Sequence, residues 1–208
     1  MPNHCRNEIS VYGAREDVEA FVSKIELAFE EFGTPDFDGD KFTFAAFVPP
    51  EKNVLHGSSG YGAFVRRDGV WENSYVNEEE AIRQGIEFYS GEFCRDENGV
   101  VYTRPEMNEL GLTDWYSWQV DNWGTKWDAY DVSMGYGVDG KSFHIDFFTA
   151  WSPPIPVVKA MQEQHPELVI TMNYEELGMG FHGFMSEDGV VTDEDFVFYD
   201  DEDEEVFS

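Results

Sequence analysis

Basic side chains are scarce in this chain: 13 Lys and Arg stand against 43 Asp and Glu in 208 residues, and none follows Lys159. A protein that grips nucleic-acid phosphates needs clustered Lys and Arg, so direct DNA or RNA binding is not expected. Cysteine is nearly absent too. Cys5 and Cys94 lie far apart and outside any CxxC or Cys/His grouping, so neither a disulfide framework nor a structural zinc site is supported, and an iron–sulfur cluster lacks its ligands. His4, His56, His144, His165 and His182 are scattered, without an H-E-x-x-H or H-x-E grouping. No metal, cofactor or catalytic residue is expected. No stretch approaches the roughly 18 apolar residues that a membrane span requires, and Met1 to Gly13 has no apolar segment behind a basic one. The expected location is the cytoplasm, without membrane contact.

What the chain has in excess is negative charge. Its formal net charge is −30. A compact chain of this length has a radius of gyration of roughly 17 Å, hence a diameter of about 43 Å, and duplex DNA of that length carries about 25 phosphates. The charge density is that of a nucleic acid, which repels DNA and RNA and attracts the proteins that bind them. An acidic surface also serves solubility alone, and that alternative stands beside mimicry. Apolar residues at 41% and aromatics at 16% exclude a wholly disordered polyanion, because they suffice for a buried core.

Periodicity then orders the chain. Asn7 to Tyr12 alternates as a strand, Gly13 breaks it, and Val18, Phe21, Val22, Ile25, Phe29 and Phe32 recur near helical spacing. Lys41 to Val48 reads as an apolar strand stopped by Pro49-Pro50. From Glu51 to about Leu112 the character changes: a Gly-rich loop over 56–62, then a helix over about 77–89, and this stretch reads as an insertion. Ala129 to Tyr136 and Ser142 to Phe148 read as a hairpin, and Ser152-Pro153-Pro154 as a helix start with Ser152 as cap. Leu168 to Tyr174, Gly180 to Met185 and Val190 to Tyr199 read as strands. The expected fold class is α+β: a ferredoxin-like sandwich with helices on one face of a mostly antiparallel sheet, one domain over 1–199 with an insertion at about 51–112, and an acidic tail over 200–208.

Two sets of residues are candidates for partner binding. The first is acidic: Asp193, Glu194 and Asp195 on the last strand, followed by Asp200, Asp201, Glu202, Asp203, Glu204 and Glu205. Residues two apart on a strand share a face at about 6.6 Å spacing, so Asp193 and Asp195 begin a row of carboxylates that imitates a phosphate strand. The second is aromatic: Trp123, Lys126 and Trp127, with Trp151. Trp anchors binding hot spots, but Trp123 and Trp127 at i, i+4 equally suit a helix packed on a sheet. An enzymatic reading needs Asp128, Asp146, Glu175 and Glu176 to converge in one cleft.

Four motifs, Met1-Pro2-Asn3-His4-Cys5-Arg6-Asn7, Asn122-Trp123-Gly124-Thr125-Lys126-Trp127-Asp128, Phe148-Thr149-Ala150-Trp151-Ser152-Pro153-Pro154 and Tyr174-Glu175-Glu176-Leu177-Gly178, run in order along the chain. Together they resemble the YubB-type family of phage and plasmid accessory proteins that contain a ferredoxin-like domain; His4 stands where that pattern has Trp. The resemblance implies a mobile-element protein working in the host cytoplasm, and brings no catalytic residues. With the charge, it leads to an expected non-catalytic inhibitor of anti-CRISPR or anti-restriction type that binds a host nucleic-acid-binding defence protein, such as a defence nuclease complex, through a DNA-mimicking surface. The alternative is an adaptor or regulator that binds through its aromatic surface.

Overall fold

A computed structural model describes residues 3–32 and 40–195. Along the chain run β1 (His4–Tyr12), α1 (Arg15–Phe32), a 3₁₀ turn (Phe44–Ala46), β2 (Val54–Leu55), β3 (Ser59–Arg67), β4 (Val70–Asn73) and α2 (Glu78–Arg83). There follow β5 (Glu87–Arg95), β6 (Val101–Thr103), α3 (Arg104–Leu110), β7 (Thr113–Asp114), α4 (Trp115–Trp123), β8 (Tyr130–Tyr136) and β9 (Ser142–Ala150). The described part closes with α5 (Ile155–Gln164), β10 (Val169–Glu176), β11 (Phe181–Met185) and β12 (Val191–Asp195). The chain divides into two compact units, Met1–Val48 with Trp123–Ser208, and Pro49–Asn122.

The first unit is built on one antiparallel sheet in the order β12-β11-β10-β1-β9-β8. Numbered within this unit, its first four strands (β1, β8, β9 and β10) stand in the order 4-1-3-2, with α1 and α5 as the crossovers; that is the split β-α-β arrangement of a ferredoxin-like sandwich. The pleat sorts the side chains. From β1, Cys5, Asn7, Ile9 and Val11 are buried; β9 adds Phe143, Ile145 and Phe147, and β10 adds Ile170 and Met172. Val18, Phe21, Val22 and Ile25 of α1 and Val157, Val158 and Met161 of α5 complete this core. The alternate residues of β1, among them His4, Arg6, Glu8 and Ser10, line the helix-free face.

The second unit has its own sheet, β4-β3-β5-β6, a parallel pair β2-β7, and two apolar clusters, one of Leu55, Cys94 and Met107, the other of Phe64, Trp71 and Val101. Its bounds lie outside the 51–112 expected for the insertion at both ends. Arg104 ties β5 to β7 by pairing with Glu92 at 2.8 Å and Asp114 at 3.2 Å. Burial pushes the Asp114 carboxyl up, but the Ser117 amide and hydroxyl and the Arg104 guanidinium outweigh it and hold it below the ordinary value.

Several local expectations need correction. Lys41 to Val48 is no strand, because Phe42, Phe44 and Phe47 are all buried and cannot share one pleated face; Thr43 instead caps the 3₁₀ turn through Ala45 N–H. The helix read over 77–89 ends at Arg83, Gly85 turns the chain at φ +69°, and β5 begins at Glu87. Ser59 to Gly62 form strand, not loop, paired with Gly91 to Cys94. Pro154, not Ser152, caps α5, and the Ser152 hydroxyl donates to the Gly124 carbonyl at 2.6 Å. The last strand is described only to Asp195, and the expected remainder over 196–199 lies outside the described residues.

Asp128 secures the 3₁₀ turn. Its Oδ1 accepts from Phe44 N–H at 2.8 Å and Ala129 N–H at 2.9 Å, and its Oδ2 from the Thr43 hydroxyl at 2.6 Å. Burial pushes its carboxyl above the ordinary 3.8, against these three hydrogen bonds. The folded state therefore keeps this proton to higher pH than the unfolded chain, so its contribution to stability is present below about pH 4 and lost as pH rises through the folded value. Asp128→Asn keeps both backbone bonds on Oδ1, and its stability relative to the parent is expected to rise between about pH 4 and pH 8. Asp128→Ala strands three donors and should lose about 2–4 kcal/mol. Urea unfolding across that range measures both.

Candidate functional site

On α1 the buried residues Val18, Phe21, Val22 and Ile25 take one side, and Glu16, Glu19, Glu26 and Glu30 lie on the exposed side together with the exposed Leu27. With Asp17 and Glu31, six carboxylates occupy Glu16 to Glu31, a rise of about 22 Å at 1.5 Å per residue. One DNA strand carries about six phosphates over that length. The two cations of the helix are engaged elsewhere: Arg15 donates to the Asp139 carbonyl at 3.0 Å, and Lys24 bonds the Gln164 amide oxygen and lies 4.9 Å over the Phe47 ring. Burial lowers the Lys24 ammonium pKa. Glu30 and Glu31 stand in the last turn, which has no basic residue, and there the helix dipole disfavours each by about 0.3–1 kcal/mol. Helix stability alone does not account for them. Glu19 and Glu26 also line a groove of about 570 Å³ with Tyr136 and Val138. Partial burial, then these two carboxylates, raise the Tyr136 hydroxyl.

The acidic residues singled out near the chain's end are placed differently. Asp193 pairs with Gly183 in register, and its carboxylate accepts a hydrogen bond from the Tyr174 hydroxyl. Gly183 makes room for that ring, since a Cβ there would lie 2.3 Å from the Tyr174 oxygen. Burial first, then Asp193, pushes the Tyr174 hydroxyl up. Glu194 points to the other face of the sheet, 3.9 Å from His182 Nε2. Asp195 ends the described chain, and Asp200, Asp201, Glu202, Asp203, Glu204 and Glu205 lie outside the described residues.

The helix-free sheet face carries a mixed polar and aromatic surface. Arg6 reaches Asp146 at 3.3 Å and Glu175 at 3.6 Å, all three about half-exposed. His4 bonds the Tyr130 hydroxyl and meets Phe148 edge-on, and Tyr130 stacks on Phe148. Two adjoining grooves, of about 250 and 730 Å³, share Arg6 and Glu175. The carboxylates named for acid–base work do not converge. Asp146 and Glu175 meet on Arg6, whereas Asp128 holds the 3₁₀ turn and Glu176, 2% exposed, accepts from Gly178 and Met179 N–H. Among the described residues, no three His, Cys, Asp or Glu are grouped to hold a metal. Burial pushes the Cys5 thiol up to about 12 and the Cys94 thiol up to about 11.

The aromatic set splits in two. α4 ends at Trp123, and Gly124, at φ +79°, turns the chain, so Trp123 and Trp127 do not share a helix. Trp123 is a core residue, 4% exposed, with its indole N–H on the Val48 carbonyl at 2.9 Å. Trp127 and Trp151 instead hold the Lys126 ammonium, 4.7 Å and 5.1 Å from their ring centres.

A ferredoxin-like domain is thus the class that topology defines. Residues 122–206 match the family model described as the ferredoxin-like domain in Api92-like protein. Among solved structures, that of protein api92 from Yersinia pseudotuberculosis is similar over 96% of this chain and 100% of its own, at 10% identity and a TM-score of 0.46. No curated protein matches the chain. No helix among the described residues is long and apolar enough to cross a membrane.

The acidic side of α1 was absent from the candidates, although its signal was in the sequence: Glu at 16, 19, 26 and 30 alternates with the apolar positions at helical spacing. The distinction between a core tryptophan and surface ion pairs is testable. Trp123→Ala is expected to cost about 3–5 kcal/mol, whereas Asp146→Asn and Glu175→Gln, at half-exposed ion pairs, should each change stability by at most about 1 kcal/mol in urea unfolding.

Proposed function

We propose that this protein acts by occupancy: it binds and inhibits a host nucleic-acid-binding protein, of the defence-nuclease kind, through an acidic surface that imitates a nucleic-acid strand. The observation that supports this most is α1, which carries six carboxylates over about 22 Å, four of them on its exposed side, close to the charge spacing of one DNA strand. Two of them, Glu30 and Glu31, stand in the last helical turn against the dipole, which fits a role in binding better than one in folding. The net charge of −30 supplies the long-range attraction to a basic partner. The resemblance to mobile-element accessory proteins motivates the host defence target. A second reading, an adaptor with an apolar contact, draws support from Leu177, Met179 and Trp151, exposed by 68%, 56% and 37%.

The test is competition with duplex DNA for a panel of purified restriction and RNA-guided nucleases. The expected outcome is displacement of DNA by this protein, with affinity falling by at least about a hundredfold between 50 and 200 mM salt. Failure to displace DNA from any member, or a salt-insensitive affinity, would contradict the proposal. Ending the chain after Tyr199 separates the share of the acidic end from that of α1.

A further inference from the structure

Trp151 is held in a conformation that large side chains avoid. Its φ is +68°, in the left-handed region, where a Cβ crowds the following carbonyl and bulky residues are rare. The strain is not offset by burial, because Trp151 remains 37% exposed. Neighbouring contacts enforce it. Its N–H donates to the Asn3 carbonyl at 3.0 Å, Thr149 Oγ1 donates to the Ser152 carbonyl at 2.8 Å, and Ser152 Oγ donates to the Gly124 carbonyl at 2.6 Å. Thr125 Oγ1 donates to the Ala150 carbonyl at 2.9 Å, which fastens the loop bearing Lys126 and Trp127 to the same turn. Gly124 is required as well, because a Cβ there would lie 2.8 Å from Pro156 Cδ. Strain that surrounding contacts over-determine is characteristic of sites that hold a ligand.

The chemistry of the ligand follows from what the two indoles hold. The Lys126 ammonium lies within 4.7 Å and 5.1 Å of the two ring centres, within the range in which an aromatic face attracts a cation. In a chain with a net charge of −30, an approaching protein segment is selected for positive charge. We propose that Trp127 and Trp151 form a cation clamp that takes a Lys or Arg side chain of a protein partner, with Lys126 as its internal occupant in the free protein. The partner's cation displaces the Lys126 ammonium and is held by the same two ring faces. The clamp rests on the reading of the partner as a basic protein, and gives an acidic surface, otherwise selective only for charge, a geometric element of recognition.

The experiment titrates tetramethylammonium chloride into the full chain at constant ionic strength kept with sodium chloride, and follows the indole N–H resonances of Trp127 and Trp151. Saturable shifts of both signals are expected with tetramethylammonium and none with sodium. Lys126→Met should tighten binding several-fold by emptying the clamp, while Lys159→Met, which removes the same charge from α5, should not. Trp151→Gly, which suits the positive φ, should abolish binding with a melting temperature at or above the parent's; Trp151→Phe should retain part of it. Equal shifts with both salts, equal effects of the two lysine substitutions, or undiminished binding by Trp151→Gly would each overturn the clamp. These readouts need no protein partner, so the clamp can fail while the acidic surface stands on its own salt dependence.

Discussion

The first unit depends on β1, which is paired along its whole length, to β9 on one side and over Arg6 to Tyr12 to β10 on the other. A strand bonded on both edges cannot slip by one residue without turning every side chain to the wrong face. That register sends Cys5, Ile9 and Val11 into the core beneath α1 and α5 and leaves His4, Arg6 and Glu8 on the helix-free face. It also fixes the surfaces at the sheet's end. His4 opposes Ala150, Asn3 accepts the Trp151 amide, and the strained turn that presents Trp151 is therefore anchored to the central strand.

A fold with such an excess of carboxylates must keep them apart or give each a partner. Both devices are present. α1 spreads Glu16, Glu19, Glu26 and Glu30 along an exposed side about 21 Å long, whereas the buried or half-buried carboxylates act as hydrogen-bond acceptors: Asp128 for the 3₁₀ turn, Glu106 for Trp71 and Thr103, Asp114 for Ser117 and Arg104, and Glu176 for the turn after β10. Glu106 shows the balance. Burial raises its carboxyl, and the donors from Trp71 and Thr103 with the Arg66 charge bring it below the ordinary value. The remaining exposed charge is left to repel its like.

Much of this fold was legible because its elements obey simple periods. The alternation of β1, β9 and β10 and the helical spacing of Val18, Phe21, Val22 and Ile25 announced an α+β sandwich, and the two helices flanked by strands announced its ferredoxin-like order. Lys41 to Val48 escaped because its three phenylalanines are buried without a period, held by an acceptor, Asp128, that lies 84 residues from Phe44 in sequence. Such long-range bonds leave no local trace. The candidate surfaces were half legible. The tryptophans and the acidity were visible, but sorting Trp123 into the core and Trp127 and Trp151 around Lys126 required the turn at Gly124 and the positive φ of Trp151, neither of which spacing reveals.

The central claim is that a linear array of carboxylates, rather than net charge in general, does the binding. The most direct measurement compares two variants of equal charge for displacement of duplex DNA from a purified host nuclease: Glu19→Gln/Glu26→Gln/Glu30→Gln on α1, and Glu78→Gln/Glu79→Gln/Glu97→Gln in the second unit. The account predicts that the α1 variant loses at least about tenfold in affinity while the other stays near the parent. Equal losses from both would show that charge alone is at work and would contradict the assignment of α1 as the imitated strand.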